Sequence, residues 1–278
     1  MHTMYREVIE LSTLEAFILG AVQGLTEFLP ISSSGHLLLL EKIMGISTES
    51  GDLLLLNILL HFGTLAAVCA VYWKRIWNMV KHPFKSELKW LVLATIPAVV
   101  AALVINFDEA FEGKFIIWSF YLTSVVLIAG TALNKHRRRN RTLHKKVMWY
   151  DAVAMGVMQA VAILPGLSRS GSTISGGVAS GLSRKRAADF AFLMSIPATL
   201  GSAVLELKDV IFGDVAVSLQ FVPTVVGVLA AAIFGLIAIK GFLALIRKIS
   251  MNVFAVYTFL LGTFLLLNKY VFHWLELL

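Results

Sequence analysis

The sequence predicts an all-α integral membrane protein that forms a single membrane domain over 1–278. Its composition is 58% hydrophobic and 15% charged, with a mean hydropathy of +0.81, which is far more apolar than a soluble domain. Its two halves carry similar motifs in the same order, and its basic residues cluster as a membrane topology requires. Together these observations predict an inverted-topology repeat.

Long stretches without Asp, Glu, Lys or Arg predict the membrane-spanning helices. These stretches are 53–73, 90–107, 115–134, 215–239 and 249–268. Each can cross a hydrocarbon core of roughly 30 Å, with some tilt, and 190–205 is a shorter sixth candidate. Buried helices of a soluble protein are disfavoured, because no amphipathic segments remain to cover them. We therefore expect six full spans.

Further helices are too short to cross the membrane. Segments 16–29 and 37–44 flank the polar loop Pro30-Ile-Ser-Ser-Ser-Gly-His36, and a similar loop, Pro165-Gly-Leu-Ser-Arg-Ser-Gly171, occurs in the second half. Hydrocarbon offers no water to free N–H and C=O groups, so such backbone must line a site or cavity. We expect a re-entrant hairpin in each half, with the functional site at the two loops.

The halves align as repeats over 1–140 and 141–278. Gly20-Ala-Val-Gln23 matches Gly156-Val-Met-Gln159, and the third apolar stretch of each half ends in Leu-Asn-Lys. Each half is thus predicted to be one re-entrant hairpin plus three transmembrane helices. Because three crossings is an odd number, the second half must insert upside down, and the two loops can then meet near mid-membrane.

The distribution of charge tests this topology independently. Most of the 24 Lys and Arg residues lie at 74–89, 135–146, 184–186 and 240–248. The positive-inside rule assigns these stretches to the cytoplasm, so the acidic stretches 108–112 and 206–214 and both termini fall outside. The basic run 135–141 could also bind nucleic acid or anionic lipid, but its position favours a topology signal, and we expect no nucleic-acid partner.

Glu27 is the acidic candidate for the site, because it lies just before the first loop and one helical turn after Gln23. A carboxylate at the membrane centre costs roughly 2.5 kcal/mol or more, so it needs a partner or a metal ion. Carboxylate and phosphate oxygens suit a divalent cation, Mg²⁺ or Ca²⁺, with Glu27 as its ligand. The alternative is a helix-end glutamate that reaches the interface.

The run Ser32-Ser33-Ser34-Gly35-His36 places hydroxyls, free N–H groups and an imidazole at the start of the helix that we expect after Gly35. Hydroxyls and unpaired donors at a helix start favour phosphate, and histidine transfers protons. Simple N-capping by Ser34 is the structural alternative. His61 and Glu41 are weaker candidates.

Arg169 lies between two serines of the second loop and is the only arginine outside the basic stretches and the N-terminus. Its planar guanidinium matches phosphate bidentately. The alternative, a buried ion pair with Glu27, also places the two residues together. The predicted substrate-binding residues are Gln23, Ser32, Ser34, Gln159, Ser168, Ser170 and Thr173.

Sequence motifs for nucleotide binding, dinucleotide binding and zinc peptidases are absent from the chain. Serine, histidine, carboxylate and arginine remain as the reactive set. That set suits phosphoryl transfer, in which catalysis is mostly positioning and charge stabilisation.

Both loops resemble the signatures of the undecaprenyl-diphosphatase family, also called the bacitracin-resistance phosphatases. The segment 23–36, Gln-Gly-Leu-Thr-Glu-Phe-Leu-Pro-Ile-Ser-Ser-Ser-Gly-His, looks like the first signature, and 165–177 looks like the second. The resemblance covers the whole chain. The first signature position is Gln23 rather than Glu, which is within the family pattern but leaves one carboxylate fewer for a metal.

The resemblance implies hydrolysis of undecaprenyl diphosphate to undecaprenyl phosphate and inorganic phosphate, which recycles the lipid carrier of peptidoglycan synthesis and gives bacitracin resistance. It implies Ser33 as nucleophile, Glu27 as metal-binding carboxylate and Arg169 as diphosphate clamp. His36 is implied as a general acid or base, or in a competing assignment as the nucleophile. It further implies the bacterial plasma membrane and a site facing outside. A homodimer is compatible with this prediction.

A carrier or flippase for an isoprenoid phosphate is the main alternative, because inverted repeats with re-entrant hairpins are also a transporter architecture. The clustering of a nucleophile, a base and a phosphate clamp favours an enzyme. The fold alone does not distinguish an enzyme from a transporter. A second alternative is a lipid phosphatase of the acid-phosphatase type. This chain shares only Ser34-Gly-His36 with that group and lacks the rest of the group's sequence pattern.

Overall fold

A computed structural model describes residues 11–46, 51–104, 115–140, 142–212, 220–246 and 248–273. Within these ranges the chain folds into α-helices joined by turns, followed by a short π-helix at Asn268–Phe272. The helices are α1 (Thr13–Phe28), α2 (Ser33–Ile43), α3 (Gly51–Lys81), α4 (Leu88–Val104), α5 (Ile116–Arg139), α6 (Trp149–Val161), α7 (Arg169–Ser180), α8 (Arg184–Phe212), α9 (Phe221–Leu245) and α10 (Asn252–Leu267). The acidic stretch 108–112 and both chain ends lie outside the described residues.

Five helical stretches of the described chain are long and apolar enough to cross a membrane. They are Gly51–Lys81, Ile116–Arg139, Arg184–Lys208, Phe221–Leu245 and Asn252–Phe272. Each overlaps one of the predicted spans, and the shortest of those spans, 190–205, lies inside a helical stretch of 25 residues. The first part of the span predicted at 215–239, residues 215–219, lies outside the described residues. The stretch predicted at 90–107 corresponds to the shorter apolar helix α4. The prediction of an all-helical integral membrane protein is confirmed at this level.

Helix α1 begins and ends where its sequence dictates. Ser12 caps it by accepting from the Glu15 N–H over 3.2 Å, and the Glu15 carboxylate accepts from the Ser12 N–H over 2.8 Å. The helix ends at Phe28, and Leu29 is extended because Pro30 follows it. The helix has 16 residues and is therefore too short to span hydrocarbon on its own.

The short helices of one half pack against the long helices of the other half. Helix α1 lies along α9, and α6 lies along α4. Glycine allows this approach, because a Cβ on Gly24 would lie 2.6 Å from the Ala231 carbonyl oxygen, and one on Gly156 would lie 2.5 Å from that of Ala94. The two halves are therefore interlocked rather than side by side.

The remaining long helices also pair across the halves, α3 with α8 and α5 with α10. Helix α7 is enclosed by α5, α6 and α8. Ionic contacts tie the α3–α8 pair together near the end of α3, where Arg75 and Arg186 both bind Glu87. This framework holds α2 and α7, which carry the two polar loops, in fixed relation to each other.

Candidate active site

The two polar loops meet in the structure. The Ser170 hydroxyl donates to the Leu29 carbonyl over 2.8 Å. The Gly166 N–H lies 3.4 Å from the hydroxyl oxygen of Ser34, which accepts from it. One member of each pair belongs to the first loop region and the other to the second. The predicted approach of the two loops is confirmed.

Ser32 determines where α2 begins. It has a φ of 72°, in the left-handed region that non-glycine residues seldom adopt, and its hydroxyl accepts from the Gly35 N–H over 3.3 Å. Helix α2 therefore starts at Ser33 with Ser32 as its cap. The expectation that the helix follows Gly35, with Ser34 as the alternative cap, was wrong because Ser32 turns the chain earlier. The earlier start puts Ser33 in the first helical turn.

Glu27 is the centre of the site. Its carboxylate accepts from the Ser33 hydroxyl over 2.6 Å and from the Gln23 side-chain amide over 3.1 Å. The same carboxylate forms an ion pair with Arg169. Its side chain is only 5% exposed, so these partners replace the water that a carboxylate would otherwise require. The alternative in which Glu27 reaches the interface is wrong.

Arg169 crosses from the second loop to the first. One terminal nitrogen contacts Glu27, and the other donates to the Thr199 hydroxyl of α8 over 3.2 Å. The predicted proximity of Arg169 and Glu27 is confirmed. The Arg169 side chain remains 26% exposed, whereas the Glu27 side chain is buried, so the guanidinium presents the accessible positive charge of this pair. That arrangement leaves donors for an anion.

His36 is held by partners other than Ser33. Its Nδ1 lies 2.6 Å from the Ser32 carbonyl oxygen, and its Nε2 lies 2.7 Å from the Tyr257 hydroxyl of α10. The Ser33 hydroxyl instead donates to Glu27. The structure therefore gives the serine and the histidine separate hydrogen bonds, and the basic group closest to the Ser33 hydroxyl is a carboxylate.

His61, a weaker candidate from the sequence, reaches the site from α3. Its Nδ1 lies 2.8 Å from the Asn57 carbonyl oxygen, which only accepts, so Nδ1 carries a proton. Its Nε2 is 3.8 Å from the Glu27 carboxylate. That distance exceeds a hydrogen bond but places a titratable ring beside the central carboxylate. Glu41, the other weaker candidate, accepts from the Asn57 side-chain amide over 2.9 Å.

The second loop repeats the capping seen in the first. Ser168 caps α7 by accepting from the Gly171 N–H over 3.0 Å, and its hydroxyl lies 3.2 Å from that of Ser170. The Thr173 hydroxyl donates to the Arg169 carbonyl over 2.8 Å, within its own helix. Substrate binding by these three residues stays a prediction.

Several buried polar atoms lack a protein partner within the described part of the chain. They include the side-chain oxygen of Gln23, both polar atoms of Gln159 and the hydroxyls of Ser172 and Ser175. Buried polar groups of this kind are usually paired, so water or a ligand is the expected partner. The predicted roles of Gln23 and Gln159 in substrate binding remain open to test.

Sequence reasoning missed Thr199 and Tyr257. The Thr199 hydroxyl binds Arg169. The sequence feature that could have indicated Thr199 is the dipeptide Thr-Leu, which occurs at 64–65 and again at 199–200 in the aligned halves. Tyr257 holds His36, and its signal was a hydroxyl inside the apolar stretch 249–268. A polar group in such a stretch needs a partner, because lipid offers none.

The groups around Glu27 fit a divalent cation if the substrate and water supply most of its ligands. Among the described residues, no three His, Cys, Asp or Glu side chains gather to hold a metal ion. Mg²⁺, however, often takes one carboxylate and completes its shell with phosphate oxygens and water. Glu27 can supply that carboxylate, so the residues present fit a cation that arrives with a diphosphate.

The helices and the site together define a class of protein. It is a helical membrane protein in which a serine and an arginine both contact one buried carboxylate at the junction of two polar loops. This donor set suits a phosphorylated substrate.

Comparison with known proteins gives the family. Residues 16–264 match the family model described as bacitracin resistance protein BacA, and the chain belongs to this family. The match covers both loops, so the resemblance inferred from the sequence is confirmed.

Individual relatives carry one name. The chain is 38% identical to the undecaprenyl-diphosphatase of Carboxydothermus hydrogenoformans, over 92% of this chain and 97% of the relative. It is 40% identical to undecaprenyl-diphosphatase 4 of Bacillus thuringiensis (strain Al Hakam), over the same shares. It is 34% identical to the undecaprenyl-diphosphatase of Halothermothrix orenii, over 93% of this chain and 98% of the relative.

Proposed function

We propose that this protein hydrolyses undecaprenyl diphosphate to undecaprenyl phosphate and inorganic phosphate. The names of its relatives supply the substrate class. The observation that carries the proposal for this chain is that one buried carboxylate, Glu27, binds both the Ser33 hydroxyl and the Arg169 guanidinium. A nucleophile, its proton acceptor and an anion clamp are thereby brought to one point.

Ser33 attacks the terminal phosphorus in this proposal. As the Ser33 oxygen bonds to phosphorus, its proton passes to Glu27 over the existing 2.6 Å hydrogen bond, and the bond from phosphorus to the bridging oxygen breaks. Undecaprenyl phosphate leaves with that bridging oxygen. Water then attacks the phosphoserine, and Glu27 returns the proton to the serine oxygen as phosphate departs.

Arg169 binds the diphosphate oxygens and stabilises the charge that grows on them. Its side chain is partly exposed, and Thr199 fixes one of its terminal nitrogens. A preorganised cation of this kind acts where solvent is largely excluded, so its effect on a transition state is larger than in water. The contact with Glu27 keeps the guanidinium in place before substrate binds.

His36 acts on water in the second step rather than on Ser33. Its Nε2 binds the Tyr257 hydroxyl of α10, whereas the Ser33 hydroxyl binds Glu27. As the water oxygen bonds to phosphorus, His36 takes a proton from it. The geometry favours Ser33 over His36 as nucleophile, because the Ser33 hydroxyl contacts a carboxylate that can accept its proton, whereas the Tyr257 hydroxyl occupies Nε2 of His36.

A divalent cation, Mg²⁺ or Ca²⁺, is part of the proposal, with Glu27 as its protein ligand. When bound, it neutralises phosphate charge. Removal of divalent cations with a chelator should abolish phosphate release, and Mg²⁺ or Ca²⁺ should restore it. Full activity after exhaustive chelation would remove the cation from the proposal.

The fine topology also belongs to the proposal: six spans, two re-entrant hairpins and inverted halves. The helix contacts support it, because α1 on α9 is matched by α6 on α4 when the halves are exchanged. With the basic ends in the cytoplasm, the N- and C-termini and the site face outside the bacterial plasma membrane. Cysteines introduced at Lys81 and Lys208 and labelled in intact cells would test this, since only Lys208 should react.

The carrier alternative is not favoured. The relatives are named as diphosphatases, and transport alone does not require the hydrogen bond from Ser33 to a buried carboxylate. Through the hydrolysis, the chain would return the lipid carrier to peptidoglycan synthesis and lower sensitivity to bacitracin.

The test is phosphate release by the purified protein from undecaprenyl diphosphate, with Glu27→Gln compared against Glu41→Gln. Both glutamates are buried in the same pair of short helices, but Glu41 pairs with Asn57 and not with Ser33 or Arg169. We expect Glu27→Gln to lose at least about 1000-fold of the activity and Glu41→Gln to stay within about threefold. Equal loss in the two variants would refute the assignment.

A further inference from the structure

A contact between His36 and Tyr257 joins the first loop region to the last long helix. The two residues are 221 positions apart, and Nε2 of the histidine lies 2.7 Å from the tyrosine hydroxyl. Their rings are also nearly parallel, at 12° with centroids 5.7 Å apart. A tyrosine in an apolar helix thus makes a directed contact with a residue of the site.

The hydrogen bonds define which ring nitrogen carries the proton. The Ser32 carbonyl, 2.6 Å from Nδ1, can only accept, so Nδ1 is the donor. In the neutral ring Nε2 must then be the acceptor, and the Tyr257 hydroxyl donates to it. Nε2 is therefore the nitrogen that is free of a proton and able to take one.

The ring is held from several directions. Ser32 and Tyr257 bind its two nitrogens, the Tyr257 ring is nearly parallel to it, and Phe120 meets it at 87° with centroids 5.7 Å apart. Tyr257 is the one partner in this set that binds the proton-accepting nitrogen.

In the first half, a threonine takes the place of Tyr257 and makes a similar contact with the opposite loop. Counting back from the Leu-Asn-Lys that ends the third apolar stretch of each half, Thr123 occupies the place of Tyr257. The Thr123 hydroxyl accepts from the Ser168 N–H over 3.1 Å and so supports the second loop. In both halves, a hydroxyl of the third long helix reaches the loop of the opposite half, and only beside His36 is it a tyrosine bound to an imidazole.

We propose that Tyr257 is a positioning residue for the hydrolysis: it holds the His36 ring and, by donating to Nε2, keeps that nitrogen free of a proton until the water that attacks phosphorus takes the place of the hydroxyl. The proposal rests on the proposed phosphatase function. During the step, the water replaces the Tyr257 hydroxyl at Nε2 and gives Nε2 a proton as the water oxygen bonds to phosphorus. Tyr257 itself neither gains nor loses a proton.

The test compares Tyr257→Phe with Tyr121→Phe in the purified protein. Tyr121 also sends its hydroxyl across the α5–α10 contact, to Thr263 over 3.0 Å, but away from His36. We expect Tyr257→Phe to lower kcat about tenfold with KM unchanged, the scale of one lost hydrogen bond, and Tyr121→Phe to leave both unchanged. An unchanged kcat in Tyr257→Phe would overturn the proposal.

A double-mutant cycle separates positioning from damage to the fold. In the His36→Gln background, Tyr257→Phe should cause no further loss, because the ring that it positions is gone. A further tenfold loss there would show that Tyr257 acts independently of His36. As a variant that retains a donor, p-aminophenylalanine at position 257 should recover at least half of kcat; recovery no better than Phe would also count against the proposal. A wild-type protein without hydrolysis would instead refute the proposed function.

Discussion

The two loops share a framework and differ in chemistry. Ser32 and Ser168 cap their helices in the same way, and each lies near a second serine, Ser34 at 3.5 Å and Ser170 at 3.2 Å. Between those serines the first loop has Ser33 and the second has Arg169. The two loops are therefore held in the same way, and in the proposed mechanism the position between their serines, Ser33 or Arg169, gives each loop its role.

The carboxylate shows the same division. Glu27 lies in the last turn of the helix before the first loop, whereas the aligned position in the second half is Ile163. The one carboxylate binds both Ser33 and Arg169, so the residues that differ between the loops are the residues that meet. In the proposed mechanism, these differing residues are the reacting groups.

The largest expected effect is at the first loop. Ser33→Ala removes the proposed nucleophile and should lower phosphate release by at least about 1000-fold. Ser170→Ala removes a serine of the second loop whose hydroxyl contacts the Leu29 carbonyl and the Ser168 hydroxyl, and it should cost less than about tenfold. Losses of similar size would mean that the two loops share the chemistry.

Arg169→Lys should produce the next largest effect. Lysine keeps the charge but cannot contact Glu27, Thr199 and a phosphate with one planar group, so we expect a loss of about 100-fold in kcat/KM. Arg75→Lys, in the ionic contact with Glu87, serves as the control and should retain activity. Wild-type kinetics in Arg169→Lys would show that charge alone suffices and that the clamp geometry is irrelevant.

The sequence was enough to predict the helical membrane class, the meeting of the two polar loops and the contact between Glu27 and Arg169. Apolar stretches predict spans because lipid tolerates few charges, and the loops stand out because polar backbone is rare among such stretches. The meeting of Glu27 with Arg169 was also predictable, since a buried carboxylate requires a cation or a metal. These inferences depend on local sequence and on the cost of burial.

Contacts between distant helices could not be predicted in this way. Periodicity does not reveal which helix faces a loop, so the partners Thr199 and Tyr257 emerge only from the packing of α8 and α10. The start of α2 was predicted at the wrong residue because serine gives no indication of the left-handed φ that Ser32 adopts. Glycine would have signalled that conformation, and serine does not.

Thr199→Val should have a moderate effect through Arg169. It removes the hydroxyl that binds one terminal nitrogen at 3.2 Å and preserves the shape of the side chain. We expect KM to rise about three- to tenfold with a smaller change in kcat, because the clamp is less well oriented before substrate binds. The aligned variant Thr64→Val, whose hydroxyl binds the His61 carbonyl, should leave KM within about twofold. A larger rise in KM in Thr64→Val than in Thr199→Val would contradict the role of Thr199 in orienting Arg169.

The smallest effect on activity is expected at Ser172, which occupies the place of His36 in the second half. Its buried hydroxyl lacks a protein partner within the described residues. Ser172→Ala should keep activity within about twofold and raise stability by about 1 kcal/mol, measured by thermal unfolding in detergent. A strong loss of hydrolysis would mean that the second loop contributes a reacting hydroxyl after all.

The most direct test of the account is to identify the residue that carries phosphate during turnover. Undecaprenyl diphosphate labelled in its terminal phosphate would be mixed with the protein. The reaction would be stopped within milliseconds by a denaturing detergent at neutral pH, and the protein would be analysed by peptide mass spectrometry. Neutral conditions preserve both phosphoserine and phosphohistidine. The account predicts label on Ser33, and its absence in Ser33→Ala. Label on His36, or on Ser168 or Ser170 of the second loop, would contradict it.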